Sequence, residues 1–132
     1  MGWMQRVMTA SERQLRQLSP QMATAAQAVY DNWEQDAEGM DWELGGGGIC
    51  DRISDAIAQV IPFETQAGGQ DGDDHSWLVV KTPDGYYGVD IPPRKYETGG
   101  GYSWKKIPGV VFGPSDIEIT HLGTDDAYWA PE

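Results

Sequence analysis

The sequence predicts a single α+β domain of 132 residues, with helices first and an antiparallel sheet after them. In the first half, apolar residues recur at spacings of three and four, which is the period of an amphipathic helix. Later, runs of β-branched and aromatic residues alternate with Gly, Pro and Asp, which is typical of strands joined by turns. We therefore expect N-terminal helices (1–39), a further helix (49–61) and an antiparallel sheet (75–122).

Two helices are expected in the N-terminal region. Thr9 or Ser11 can cap the first, because short side chains with oxygen accept hydrogen bonds from the free amides of a helix start. Ser19 and Pro20 suit the start of the second, and Gly39 is where we expect it to end. We assign one apolar face of this second helix to the core: Met22, Ala25, Ala26, Val29, Tyr30 and Trp33.

The only cysteine of the chain is Cys50. It follows a run of glycines (45–48) and begins the helix predicted over 49–61, which Pro62 ends. A helix start presents free amide N–H groups and partial positive charge, so it favours a thiolate over a thiol. The glycines fit either a flexible linker or a backbone that lets a substrate approach the thiol. Taken alone, Cys50 could equally be a packed core residue.

The clearest strand pattern starts at His75, turns at 83–85, and returns to Asp90 before two prolines. A hairpin centred on Asp84 brings His75 and Asp90 within two residues of each other in the pairing. Cysteine, histidine and aspartate supply a nucleophile, a base and an acid that orients the base. The sequence therefore predicts a triad of Cys50, His75 and Asp90, provided that the last two share a face of the sheet.

The composition of the remaining segments predicts two loops and two further strands. Residues 64–74 are polar and rich in Gly and Asp, which predicts a solvated loop. Residues 94–109, with a run of glycines at 99–101, predict a second loop. Two more strands are expected at 110–112 and 117–122, on either side of a Gly-Pro-Ser-Asp turn.

The order and spacing of these residues resemble the papain-like cysteine peptidase superfamily, most closely its transglutaminase-like branch. The resemblance covers 45–93 and rests on a cysteine in the first turn of a helix, a strand opening with His75, and a hairpin ending at Asp90. It implies a papain-like/transglutaminase-like fold and cysteine-dependent acyl transfer from, or hydrolysis of, an amide. Cys50 is then the nucleophile, His75 the base and later the acid, and Asp90 the orienting group. Peptidase, amidase, deamidase and transglutaminase activities share this triad, so the substrate stays open.

In this scheme the backbone amide of Cys50 donates one hydrogen bond to the oxyanion. Papain-like enzymes supply the second donor from a glutamine six residues earlier, where this chain has Leu44. We expect a substrate-binding surface of glycines and aromatic side chains: Gly47, Gly48, Trp42, Trp77 and Trp104. The alternative is a catalytically inactive papain-like fold that uses such an aromatic surface as a binding or assembly module.

The composition limits the classes of partner that we expect. The formal net charge is −12, and phosphate surfaces attract cationic side chains, so we expect neither nucleic acid nor a membrane as partner, but a peptide or other amide-bearing substrate. One cysteine forms no internal disulfide, and no stretch reads as a signal peptide or membrane span, so we expect a cytoplasmic protein. One cysteine and two histidines do not make a structural zinc site, and the acidic residues of 71–74 lack calcium-loop spacing. We therefore expect no metal and no cofactor.

Overall fold

The computed structural model describes residues 7–33, 49–71, 75–98 and 105–129. Within these ranges the predicted α+β class is confirmed. The helices are α1 (Ala10–Gln17), α2 (Ser19–Asp31) and α3 (Cys50–Ala58). The strands are β1 (Glu64–Asp71), β2 (His75–Thr82), β3 (Gly85–Asp90), β4 (Glu97–Thr98), β5 (Lys105–Lys106) and β6 (Glu118–Gly123). None of the described helices is long and apolar enough to cross a membrane.

The N-terminal helices begin where the sequence predicts. Thr9 caps α1, since its Oγ1 accepts a hydrogen bond of 3.0 Å from the amide of Glu12. Pro20 lies in the first turn of α2, where its missing amide hydrogen costs no hydrogen bond. The second helix ends at Asp31, earlier than predicted, and Gly39 lies outside the described residues.

A lysine caps the C-terminal end of α2. Lys106 Nζ donates to the carbonyl oxygens of Tyr30 at 2.8 Å and Trp33 at 3.0 Å. It also lies 4.5 Å from the centroid of the Tyr30 ring. A cation at the carbonyl end of a helix complements the helix dipole and satisfies carbonyls that the helix itself leaves open. Strand β5 thus fixes the point at which α2 stops.

The main sheet is antiparallel, and within the described chain its strand order is β1-β2-β3-β6. Strand β1 corrects the prediction of a loop over 64–74. It pairs along β2 from Glu64 to Asp71, with an irregularity between Ala67 and Gly69. Backbone pairing with β2 does not require an apolar side-chain pattern, so a polar, Gly-rich segment can form this edge strand.

The strand predicted at 110–112 is wrong. The amide of Phe112 donates to the Gln27 side-chain Oε1 at 2.7 Å, and Gln27 Nε2 donates to the Val110 carbonyl at 3.1 Å. A side chain of α2 therefore takes the place of a neighbouring strand, while Phe112 packs in the core. The strand predicted at 117–122 is confirmed as β6, which pairs with β3.

The loop predicted over 94–109 contains more order than expected. A 3₁₀ turn at Pro93–Lys95 follows β3, and β4 then pairs with β5 as a short hairpin, with Glu97 opposite Lys106. This hairpin lies beside the end of α2 through the Lys106 contacts and carries Tyr96 into the core. The chain after Asp90 is therefore part of the packed domain.

The sheet has an inner face, covered by helices, and an outer face. Inner-face residues share one apolar cluster with the helix residues Ile53 and Ile57: Leu78 and Val80 of β2, and Tyr87 and Val89 of β3. Side chains alternate along a strand, so Val79 and Tyr86 belong to the outer face. Both are buried, and the Tyr86 ring packs 5.7 Å from that of Trp129 near the C-terminus. Helix α3 therefore lies against the inner face.

The turn between β2 and β3 is tied to α1. Asp84 Oδ2 accepts a hydrogen bond of 3.0 Å from the amide of Ser11, and Thr9 Oγ1 hydrogen-bonds the Tyr87 hydroxyl at 2.5 Å. Gly85 has a φ of +112°, and a Cβ there would lie 2.6 Å from the carbonyl oxygen of Gly123. Only glycine fits this position, which fixes where β3 begins.

Candidate active site

Cys50 is the first residue of α3, as the sequence predicts. The first backbone hydrogen bond of the helix runs from Ile53 N to Ile49 O at 3.0 Å, so the amides of residues 50–52 belong to the open turn at its start. The residue is 8% exposed, because the side chains of Ile49 and Ile53 beside it are in the core. The thiol is thus more covered than a half-exposed nucleophile would be.

The strand register brings the two other predicted residues together along the backbone. His75 begins β2 and Asp90 ends β3. The ladder pairs Leu78 with Val89, so one further step puts Trp77 opposite Asp90. Position 75 is two residues beyond, and residues two apart in a strand share a face. Positions 75 and 90 are therefore diagonal neighbours on one face without any bulge; the His75 side chain lies outside what the structure describes.

The same alternation puts a condition on the triad. Val89 belongs to the inner face, so Asp90 belongs to the outer face, away from the side on which α3 packs. Asp90 is half-buried and is the last residue of its strand. Cys50 can therefore contact this carboxylate only around the end of the sheet, at the residue where β3 stops, and not through the sheet.

Tyr96 follows the end of β3 and is buried in the core. Its side chain is fully buried, and burial raises the pKa of Tyr96 far above its ordinary value. Nearby groups raise it further through their negative charge: Glu97, Cys50, Asp90 and Asp51. Groups of α3 and of the end of β3 are therefore both among the charges that raise the pKa of this phenol.

The hydroxyl of Tyr96 has no hydrogen-bond partner among the described residues. Buried polar groups are almost always paired, so an unpaired hydroxyl in the core is unusual. The sequence does not predict the burial of Tyr96, because 94–109 reads as a flexible loop. The available signal was a tyrosine shortly after the prolines that end the Asp90 strand.

The predicted substrate surface is described only in part. Trp42, Gly47, Gly48 and Trp104 lie outside the described residues. Trp77 is on the outer face, where a Cβ added to Gly88 would lie 3.1 Å from its Cζ3 atom. Within the described ranges the indole of Trp77 thus covers Gly88, a packing role that the sequence did not indicate.

The described residues contain no group of three or more His, Cys, Asp or Glu side chains that could hold a metal ion. No protein-family model matches the chain, and neither a curated protein nor a solved structure is detectably similar to it. A function for this chain is therefore inferred from its residues and their geometry.

Proposed function

We propose that this protein is a cysteine-dependent hydrolase or acyltransferase that acts on an amide through Cys50, His75 and Asp90, in the manner of papain-like and transglutaminase-like enzymes. The observation that carries the proposal is the hairpin register, which makes position 75 a diagonal neighbour of Asp90 on one face of the sheet. The position of Cys50 in the first turn of α3 supports it, because a helix start favours a thiolate.

The chemistry follows from the residue types. His75 takes the proton of the Cys50 thiol, and the thiolate attacks the carbonyl carbon of the amide, forming a C–S bond and an oxyanion. The oxyanion collapses, the C–N bond breaks, and His75 gives its proton to the leaving amine. Water or a second amine then attacks the thioester and releases the thiol. Asp90 holds the imidazole in the productive tautomer and stabilises its charged form.

Alkylation kinetics test the proposal directly, because the chain has one cysteine and every adduct forms on Cys50. At pH 6 a free cysteine, with an ordinary pKa of about 8.5, is almost fully protonated and reacts slowly with iodoacetamide. We expect Cys50 to react at least about tenfold faster than glutathione under these conditions, because a histidine base activates the thiol. His75→Ala should remove this advantage.

His121 provides the matched control. It is the other histidine of the chain, and its ring stacks on Tyr87 at 4.8 Å between centroids. His121→Ala should leave the alkylation rate unchanged. If the wild type and both histidine variants react at the rate of glutathione, no triad is assembled. Intact-mass analysis with a panel of peptide and amide electrophiles then identifies the substrate class.

The competing proposal is an inactive fold of the same kind that acts as a binding or assembly module. The observations that favour it are the 8% exposure of Cys50 and the outer-face position of Asp90. It predicts slow alkylation of Cys50 that is insensitive to His75→Ala, so the same measurement separates the two functions.

A further inference from the structure

A short segment near the C-terminus, residues 125–129, forms a turn with its own hydrogen bonds; we call it the C-terminal turn. Asp125 Oδ1 accepts a hydrogen bond of 3.0 Å from the amide of Ala127. The Asp126 carbonyl accepts one of 3.0 Å from the amide of Trp129. These bonds join residues of the segment to each other, so the segment can move relative to the sheet without breaking them.

The C-terminal turn packs on the outer face of the sheet through the side chains of Asp126 and Trp129. Asp126 Oδ1 accepts a hydrogen bond of 2.5 Å from the Tyr86 hydroxyl. The indole of Trp129 packs against the Tyr86 ring at 5.7 Å between centroids, and the Lys81 ammonium lies 5.6 Å from the centroid of the indole. Lys81 and Tyr86 are directly opposite each other in the pairing of β2 with β3, so they form one patch on this face.

The link between β6 and the C-terminal turn suits a movable segment. Gly123 ends β6 with a φ of +101°, and a Cβ built on it meets no described atom within 4 Å outside the adjoining residues. Residues 124–127 are exposed, whereas Tyr86 beneath the turn is 5% exposed. The turn thus contacts a buried aromatic side chain while most of it remains in solvent, as a bound peptide would.

We propose that Lys81 and Tyr86 form a peptide-binding surface, that the C-terminal turn is its intramolecular occupant, and that its partner is a protein segment with a carboxylate and an indole at the spacing of Asp126 and Trp129. The Tyr86 hydroxyl donates to the carboxylate, its ring packs against the indole, and the Lys81 ammonium lies over the indole. The partner binds when the C-terminal turn moves away about Gly123. This surface uses none of the proposed triad residues, so it is independent of the proposed function.

An occupant that is tethered to its site competes with any partner in solution, because its effective concentration is high. If the surface is open for about one tenth of the time, the apparent affinity for a partner falls about tenfold. Trp129→Ala removes the indole that holds the turn in place, and Trp129 is itself partly exposed near the end of the chain. The variant should therefore bind a partner peptide at least about tenfold more tightly than the wild type.

Fluorescence anisotropy tests this with the full chain and a labelled synthetic peptide that has the sequence of residues 123–132. We expect the peptide to bind Trp129→Ala with a Kd at least about tenfold lower than that for the wild type. Adding Lys81→Met or Tyr86→Phe to that variant should weaken binding. Lys105→Met is the matched control, because it removes the same charge from an exposed lysine of β5 and should leave the Kd unchanged.

The remaining outcomes overturn the proposal. Equal binding to the wild type and Trp129→Ala, or binding to neither, shows that the turn does not occupy a peptide site. An equal effect of Lys105→Met and Lys81→Met shows that only net charge attracts the peptide. A wild-type dimer in light scattering that becomes a monomer in Trp129→Ala makes a second copy the partner instead. Should Trp129→Ala not give a folded circular dichroism spectrum, Asp126→Ala, which removes the other contact, is measured in the same way.

Discussion

The hydrogen bonds of Lys106 at the end of α2 give the sharpest stability prediction. Lys106→Met keeps the length of the side chain and removes the ammonium that bonds the Tyr30 and Trp33 carbonyls at 2.8 and 3.0 Å. A hydrogen bond from a charged donor contributes about 1.5–3 kcal/mol, and the lower end applies because Lys106 is half-buried. The expected loss in the free energy of unfolding is therefore about 3 kcal/mol.

Urea unfolding followed by far-ultraviolet circular dichroism measures this loss as a shift in midpoint at constant slope. For a chain of this size the shift corresponds to a fall in melting temperature of about 10 °C. The neighbouring Lys105 is exposed, so Lys105→Met should stay within about 0.5 kcal/mol of the wild type. If Lys106→Met is as stable as Lys105→Met, the hydrogen bonds from Lys106 to the end of α2 do not stabilise the fold.

Two further predictions concern the sheet. Gly88→Ala should lower the free energy of unfolding by about 1–3 kcal/mol, because the added Cβ would lie 3.1 Å from Trp77 Cζ3. In the control Gly113→Ala the nearest contact is 3.9 Å, so its thermal unfolding should match that of the wild type. The hydrogen bonds from Ser11 lower the pKa of Asp84 below its ordinary 3.8, so its stabilising effect is present above that pH and is lost as the pH falls through the lower folded value. Asp84→Asn should therefore lower the melting temperature at pH 7, and the difference from wild type should shrink below pH 3.8; a constant difference would contradict the ionic role.

The helices and central strands could be predicted because local sequence and burial agree there. Helix α3 places Ile53 and Ile57 on one face, and this spacing buries them against the sheet. The β2–β3 hairpin has β-branched strands and a Pro-Asp-Gly turn whose glycine needs a positive φ. In these segments the pattern and the packing point to the same structure.

The missed elements depend on partners distant in sequence. Strand β1 is polar, and what makes it a strand is pairing with β2. Conversely, Val110 and Phe112 have strand-like side chains, but Gln27 of α2 supplies their hydrogen bonds. Such side-chain-to-backbone contacts leave no periodic signal in the sequence, so propensity alone gives the wrong answer in both places.

The positions of the three candidate residues in the secondary structure were predictable, and their surroundings were not. Cys50, His75 and Asp90 stand at the start of a helix, the start of a strand and the end of a strand, and the sequence places all of them correctly along the chain. Tyr96 could not be found this way, because its burial follows from the β4–β5 hairpin packing beside α2. An unpaired hydroxyl becomes visible only when the neighbours of each polar atom are known.

The face on which each residue lies gives the site its most specific geometric requirement. A helix on the inner face and a carboxylate on the outer face of one sheet cannot meet through the strands, whose backbones separate them. They can meet only beyond the last backbone pair, and Asp90 is the residue at which β3 stops. Tyr96 returns to the core just after that end. If β3 continued for one more paired residue after Asp90, the carboxylate would no longer lie at the end of the strand. The proposed triad therefore requires β3 to stop at Asp90 as well as the three side chains themselves.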